Sequence, residues 1–213
     1  MCSSDLLSNL DARLRDRLRM ELRQIQQRLQ MTWIYVTHDQ SEAFALADSV
    51  AVMQGGRIVQ LGSPAEIYGR PVTAAIAEFV GVRNVLACTV VERQAGMAAA
   101  QLDGTSLRIR GLVPGELDGA GGVLRACIRA EDLRFTADAG AGADANRWPA
   151  QVRLASFQGG SVHYRVELQG GALLDVIRPR GEPVAAAGSP VTVSVSADDV
   201  NIIPAGEIGR AHV

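Results

Sequence analysis

Lysine is missing from this 213-residue sequence: all 21 basic residues are arginine. Without lysine there is no Schiff base and no lysine nucleophile. Nor is there a G-x-x-x-x-G-K-[ST] loop to cradle nucleotide phosphates. A very GC-rich genome is the bland source of such a bias. Cysteine is scarce: Cys2, Cys88 and Cys127 are odd in number, far apart and form no C-x-x-C pair. That spacing indicates neither a disulfide framework nor a zinc site, and a reducing cytosol is the simplest compartment. No apolar run approaches the ~18 residues of a membrane span, and no signal-peptide pattern opens the chain. A net charge of -2 leaves no cation surplus for a large nucleic-acid footprint.

What is present is an ordinary globular composition, 47% hydrophobic and 21% charged, enough for one or two cores. The two ends look foreign to it. Ile208-Gly209-Arg210-Ala211-His212 can be written ATC-GGA-AGA-GCA-CAC, whose reverse complement encodes the Cys2-Ser3-Ser4-Asp5 tail behind a GTG start. One adapter-like DNA string therefore accounts for both tails. Residues 1–6 and 206–213 are expected to be non-native, with the natural sequence running from about Leu7 to about Ala205.

Periodicity divides the remainder into two halves. From Asp11 to Gln30, Leu14, Leu18, Leu22, Ile25 and Leu29 form one stripe of an amphipathic helix. Six arginines decorate the rest of it and read as a solvated face. Thr32–Thr37 is β-branched and aromatic, the composition of a short buried strand. It ends at His38, where Asp39 and Glu42 have capping-box spacing for a new helix. Gly55-Gly56 marks a two-residue hairpin turn, and Ser63-Pro64-Ala65-Glu66 opens another helix. A last short helix, Thr73 to Val80, closes this half. After Asn84, short alternating segments separated by glycines predict strands at 86–92, 106–110, 123–128, 150–157, 161–168, 173–177 and 190–196. The expected fold is an α/β remnant over 7–83 followed by an all-β barrel domain over 84–204, with Ala137–Asn146 as a loop.

His38 is the residue placed for chemistry. Ligands in α/β sheets lie beyond the carboxyl ends of strands, and helix N-termini there attract anions. A histidine at that junction can donate a hydrogen bond to a phosphate. His163 alternates within a strand and reads as surface or packing, Arg178 and Arg180 read as a solvated loop, and His212 lies in the suspect tail.

Several strings carry a family resemblance: Leu7-Ser8-Asn9-Leu10-Asp11, Val36-Thr37-His38-Asp39-Gln40-Ser41-Glu42-Ala43, Gly62-Ser63-Pro64-Ala65-Glu66-Ile67-Tyr68 and Ala77-Glu78-Phe79-Val80-Gly81. Together they resemble the carboxy-terminal part of the ATP-binding subunit of ATP-binding-cassette importers, whose nucleotide-binding domain has a P-loop NTPase-type fold. The β half, with Ile128-Arg129-Ala130-Glu131-Asp132-Leu133, resembles the OB-like TOBE regulatory domain that follows that ATPase. The resemblance implies that His38 is the switch histidine contacting the ATP γ-phosphate. It implies that Ser8, Asn9 and Asp11 form the D-loop at an ATPase dimer interface. Gln40 and Glu42 are expected to cap and pack. Implied partners are a second ATPase subunit and transmembrane permease subunits, on the inner face of the cell membrane, with ATP and Mg2+ as cofactors of the intact protein. The substrate class stays open among polyamine, iron, oxyanion and sugar.

The departures are as informative. Ser4, Asp5 and Leu6 stand where the family has an aspartate, a catalytic glutamate and a proline. The phosphate loop, glutamine loop and L-S-G-G-Q signature are absent, so this chain alone is expected neither to bind nor to hydrolyse ATP. The competing expectation is a stand-alone regulatory or small-ligand-binding β-barrel module.

Overall fold

In the computed structural model, which describes residues 12–94, 96–113, 123–136 and 145–206, the chain divides into two compact units, 1–70 and 71–213. Ser8, Asn9 and Asp11, residues 1–6 and 207–213 of the expected tails and residues 137–144 of the expected loop lie outside the described residues, while Ala145 and Asn146 of that loop belong to a strand instead.

Local signals build the first unit. It runs α1 (Ala12–Leu29), α2 (Gln40–Leu46), β1 (Val50–Gln54), β2 (Arg57–Gly62) and α3 (Pro64–Gly69). Gly55 and Gly56 take φ of 55° and 75°, the left-handed pair that a type I′ hairpin turn requires between β1 and β2. Ser63 caps α3 in a full capping box: its hydroxyl accepts from the Glu66 N–H, and the Glu66 carboxylate accepts from the Ser63 N–H. Phe44 of α2 meets Tyr68 of α3 edge-on at 5.9 Å.

Two sequence expectations for this unit are corrected. Thr32–Thr37 forms no strand and pairs with none among the described residues, and Ile34 and Val36 are 93% and 82% exposed. β-branched composition selects extended backbone, whereas a ladder needs a neighbouring edge that only tertiary structure can supply. The arginine-rich face of α1 is not uniformly solvated either. The Arg19 side chain is largely buried against Asp39, and Arg23 bonds Asp48 and the Leu46 carbonyl. Leu18 and Leu22 are half-buried, while Leu14, Ile25 and Leu29 of the same stripe are exposed. Among the described residues, no helix is long and apolar enough to cross a membrane.

The second unit starts with α4 (Ala74–Phe79), capped by Thr73. Its Ala74 and Ala77, with Val82, pack on Cys127, Ile203 and Val85. Packing thus places 71–83 with the β strands, although the sequence pattern groups it with the helical half.

Among the described residues ten strands follow, in two runs of five. The first run is β3 (Asn84–Gln94), β4 (Met97–Leu102), β5 (Arg108–Leu112), β6 (Leu124–Ile128) and β7 (Arg134–Thr136). The second is β8 (Ala145–Phe157), β9 (Ser161–Leu168), β10 (Leu173–Pro179), β11 (Pro190–Ser196) and β12 (Val200–Pro204). The runs repeat one design. Each opens with a long strand broken by a register shift, between Val90 and Glu92 in β3 and between Val152 and Leu154 in β8. Each leaves its fourth strand through a matching turn, Ile128-Arg129-Ala130-Glu131-Asp132-Leu133 and Val195-Ser196-Ala197-Asp198-Asp199-Val200.

The fifth strands are exchanged. β12 closes a barrel of order β12-β5-β4-β3-β6, while β7 joins the sheet β10-β9-β8-β11-β7. Two buried asparagines tie the runs together in the same reciprocal way. The Asn84 amide donates to the Asp175 carbonyl at 2.9 Å and accepts from its N–H at 2.7 Å. Asn146 makes the same pair with the Arg110 carbonyl and N–H, at 2.8 and 2.6 Å. Each side chain thus imitates one rung of a β ladder, satisfying backbone groups that would otherwise be buried unpaired.

The sequence pattern missed β4, β7 and β12. Met97–Leu102 is alanine-rich and of low strand propensity. In the barrel, Ala98 and Ala100 are 3% and 0% exposed, so their small size suits the interior. Gly111 is fixed by a close approach, since a Cβ there would lie 2.7 Å from Val200 Cγ1 and 2.8 Å from the Val200 carbonyl oxygen.

Burial pushes the thiols of Cys88 and Cys127 up to about 11 and about 12. Only the thiolate attacks, so neither should react with a thiol reagent at pH 8 until the β unit unfolds. Timed labelling with mass-spectrometric mapping in and out of denaturant checks this.

Candidate functional site: the His38 turn

The segment 31–38 leads into α2, and the turn between them is built by its own polar side chains. Thr37 Oγ1 accepts from the Asp39 N–H at 3.0 Å and donates to Glu42 Oε2 at 2.7 Å. Asp39 is the N-cap of α2, its Oδ1 accepting from the N–H groups of Ser41 and Glu42. His38 stands at the apex, between two residues whose backbone or side chain is held. Its imidazole is exposed, with no hydrogen-bond partner among the described residues.

Beneath the turn lies a buried carboxylate. Glu42 is 3% exposed, and its Oε2 accepts from Tyr35 Oη at 3.0 Å as well as from Thr37. Arg19 reaches across from α1, 3.0 Å from Asp39 and 3.9 Å from Glu42. Glu42 is a packing residue, as the sequence implies, but it does not complete a capping box. Its carboxylate is engaged by two hydroxyls and a guanidinium instead of the cap backbone. Sequence spacing showed Asp39 and Glu42 together; the contributions of Arg19 and Tyr35 were not visible, because their partners are 20 and 7 residues away.

One expectation about the site changes. The N-terminal N–H groups of α2 were expected to attract an anion, but Asp39 already occupies two of them. A carboxylate at that position repels a phosphate approaching the helix end. Any anion contact here therefore comes from the His38 ring itself.

Desolvation, then the hydrogen bond to Glu42, pushes the Tyr35 phenol up to about 12 from its ordinary 10.0. The folded state thus holds the phenolic proton more tightly than the unfolded chain does. The interaction stabilises the first unit at neutral pH, and that contribution fades as pH rises from about 10 through about 12. Phenolate absorbance should show a late-titrating component from Tyr35, and Glu42→Gln should bring that component back toward 10.0. An unshifted tyrosine titration in the parent protein would contradict the buried hydrogen bond.

The comparisons with known proteins locate both units. Residues 126–203 match the TOBE domain family, so the β unit carries a TOBE domain. Over 192 residues, the chain is 37% identical to the Fe(3+) ions import ATP-binding protein FbpC of Brucella melitensis biotype 1, covering 89% of this chain and 50% of that protein. It is 35% identical over 219 residues to the sn-glycerol-3-phosphate import ATP-binding protein UgpC of Rhodopseudomonas palustris, covering 97% of this chain and 55% of that protein. The cytoplasmic molybdate-binding protein ModG matches 58% of this chain and 98% of its own, with a TM-score of 0.48 and 19% identity. The chain is thus a relative of the ATP-binding subunits of importers, with a TOBE domain in its carboxy-terminal part. It spans about half the length of the curated relatives it matches.

Proposed function

We propose that the chain serves an importer's ATP-binding subunit, supplying the switch-histidine turn and the TOBE regulatory unit. Transport would be driven by ATP hydrolysis in a pair of such subunits coupled to membrane permeases at the inner membrane face. His38 would contact the γ-phosphate, with Ser8, Asn9 and Asp11 as the D-loop at the subunit interface. The observation that carries this reading is the segment before His38. It has the composition of an interior strand, yet its Ile34 and Val36 are bare. Such a segment fits a sheet whose other strands are not among the described residues.

The residues present do not make an Mg-ATP site on their own. No lysine is available for the β- and γ-phosphates, and among the described residues no three His, Cys, Asp or Glu side chains converge as metal ligands. Phosphoryl transfer needs phosphates cradled, magnesium held and water oriented; this chain offers an exposed imidazole beside a capped helix start. The 213-residue chain is therefore proposed to be inactive alone.

Two measurements test the reading. A fluorescent ATP analogue should show no saturable binding to this chain, and micromolar affinity would overturn the claim. Joining the amino-terminal half of the Brucella relative ahead of Leu7 should create an ATPase that His38→Ala slows by about 100-fold or more. A chimera that folds and hydrolyses ATP with His38→Ala unimpaired would remove His38 from the chemistry.

A further inference from the structure

The exchanged repeat of the β unit exposes an asymmetry between its two halves. In the first, α4 covers the outer face of the barrel, seated on Val85, Cys127 and Ile203. Strand register places Arg147, Ser194 and Thr136 at the corresponding positions of the second. Polar groups stand at all three, so this face is not built to receive an apolar helix. Beside it, on β8, β9, β11 and the end of β7, opens a cleft of 640 Å³. Thr136, Thr192 and Pro149 form one cross-strand row of its floor, and Pro190, Gln151 and Glu167 form the next. The Thr136 hydroxyl is buried without a hydrogen-bond partner, a state that a folded protein corrects with water or a ligand.

We infer that this cleft is a binding site for a small neutral polyhydroxylated molecule of the carbohydrate or polyol class. Charge argues against an ion. The charged side chains lining the cleft are Arg153 and Glu167, paired with each other at 2.6 Å. An anion or a cation entering there would have to break that pair. The remaining polar groups suit hydroxyls. Gln169 and Gln151 offer amides, with the Gln151 Nε2 held by the Gly188 carbonyl and its oxygen left to accept. Thr192 adds a hydroxyl that both donates and accepts. Pro149 and Pro190 add apolar C–H surface to the lining. The volume falls within the roughly 300–1,000 Å³ range of small-molecule sites.

The test is amide NMR of the 213-residue chain titrated with maltose, trehalose and myo-inositol, and with spermidine and sulfate as charged comparators. At least one neutral probe should give saturable shifts at Gln151, Arg153, Glu167, Gln169 and Gly170. Gln169→Ala and Thr192→Val should each weaken that binding by about tenfold while leaving the spectrum dispersed. Thr192→Ser, which keeps the hydroxyl, should restore most of it. The inference fails if no neutral probe saturates by about 50 mM, if the shifts map elsewhere, or if a charged probe alone occupies the cleft. It uses the β unit only, so its outcome is independent of the ATP-binding reading.

Discussion

A chain divided between Thr136 and Ala145 is expected to leave neither half of the β unit folded, and mixing the halves is expected to restore it. The reason is the exchange of fifth strands. β12 pairs with β6 along its whole length, from Val200 against Ile128 to Pro204 against Leu124. It also inserts Val200, Ile202 and Ile203, each 0% exposed. Burying such side chains stabilises by about 1.5–3 kcal/mol apiece, so a first half without β12 loses on the order of 4–9 kcal/mol. Typical domain stability is about 5–15 kcal/mol, and the barrel would in addition stand open. The second half loses β7, including Phe135, which meets Tyr164 edge-on at 5.0 Å. Each half also loses an asparagine clamp, because Asn84 and Asn146 bond the opposite run. Circular dichroism of 71–136 and 145–206, apart and mixed, checks this. A cooperative melt from either piece alone would show that the exchange is dispensable.

Arg19→Met should destabilise the first unit by about 3 kcal/mol or more. The guanidinium lies between Asp39 and the buried Glu42, and removing one partner of a buried charge leaves the other uncompensated. Adding Glu42→Gln should recover much of the loss, because a neutral amide needs no counter-charge. Hydrogen exchange across 31–47 reads the effect locally, and the double-mutant cycle gives the coupling. Additive single effects, with no recovery in the double variant, would assign Arg19 to packing alone. Arg17→Met is the control, since its partner Glu21 is a solvent-exposed pair one turn away on the same helix. Exposed pairs of that kind contribute about 0–1 kcal/mol.

These two predictions separate what was legible in the sequence from what was not. Arg17 and Arg19 look alike in one dimension, and both fit a solvated helical face. Only the approach of α2 distinguishes them, since Asp39 is 20 residues away. The internal repeat had a faint signal, Ile128-Arg129-Ala130-Glu131-Asp132-Leu133 against Val195-Ser196-Ala197-Asp198-Asp199-Val200. It carries no information about which run each fifth strand joins. Asn84 and Asn146 were unreadable as clamps, because asparagine in a strand is locally disfavoured and its compensation lies in a distant backbone. The cleft escaped notice for the same reason: its rows come from four strands that only the sheet aligns.

The sequence by itself determined several features governed by contacts within a few residues. The glycine pair at 55–56, the caps at Asp39 and Ser63 and the strands at 161–168 and 190–196 all stand where residue type and period put them. The turn and the caps have near neighbours as partners, so chemistry and spacing suffice, whereas the two strands are marked by their alternation even though β11 pairs with distant β8 and β7. The absent lysine likewise sets a limit that no fold can lift: these residues contain no phosphate-loop ammonium. Tertiary structure decided the fate of 31–38, the burial of Arg19, the placement of α4 and the exchange of β7 and β12. In each of these, backbone or side-chain groups must find partners tens of residues away. An alternation pattern states that a face wants burial, but only the assembled fold specifies what covers it.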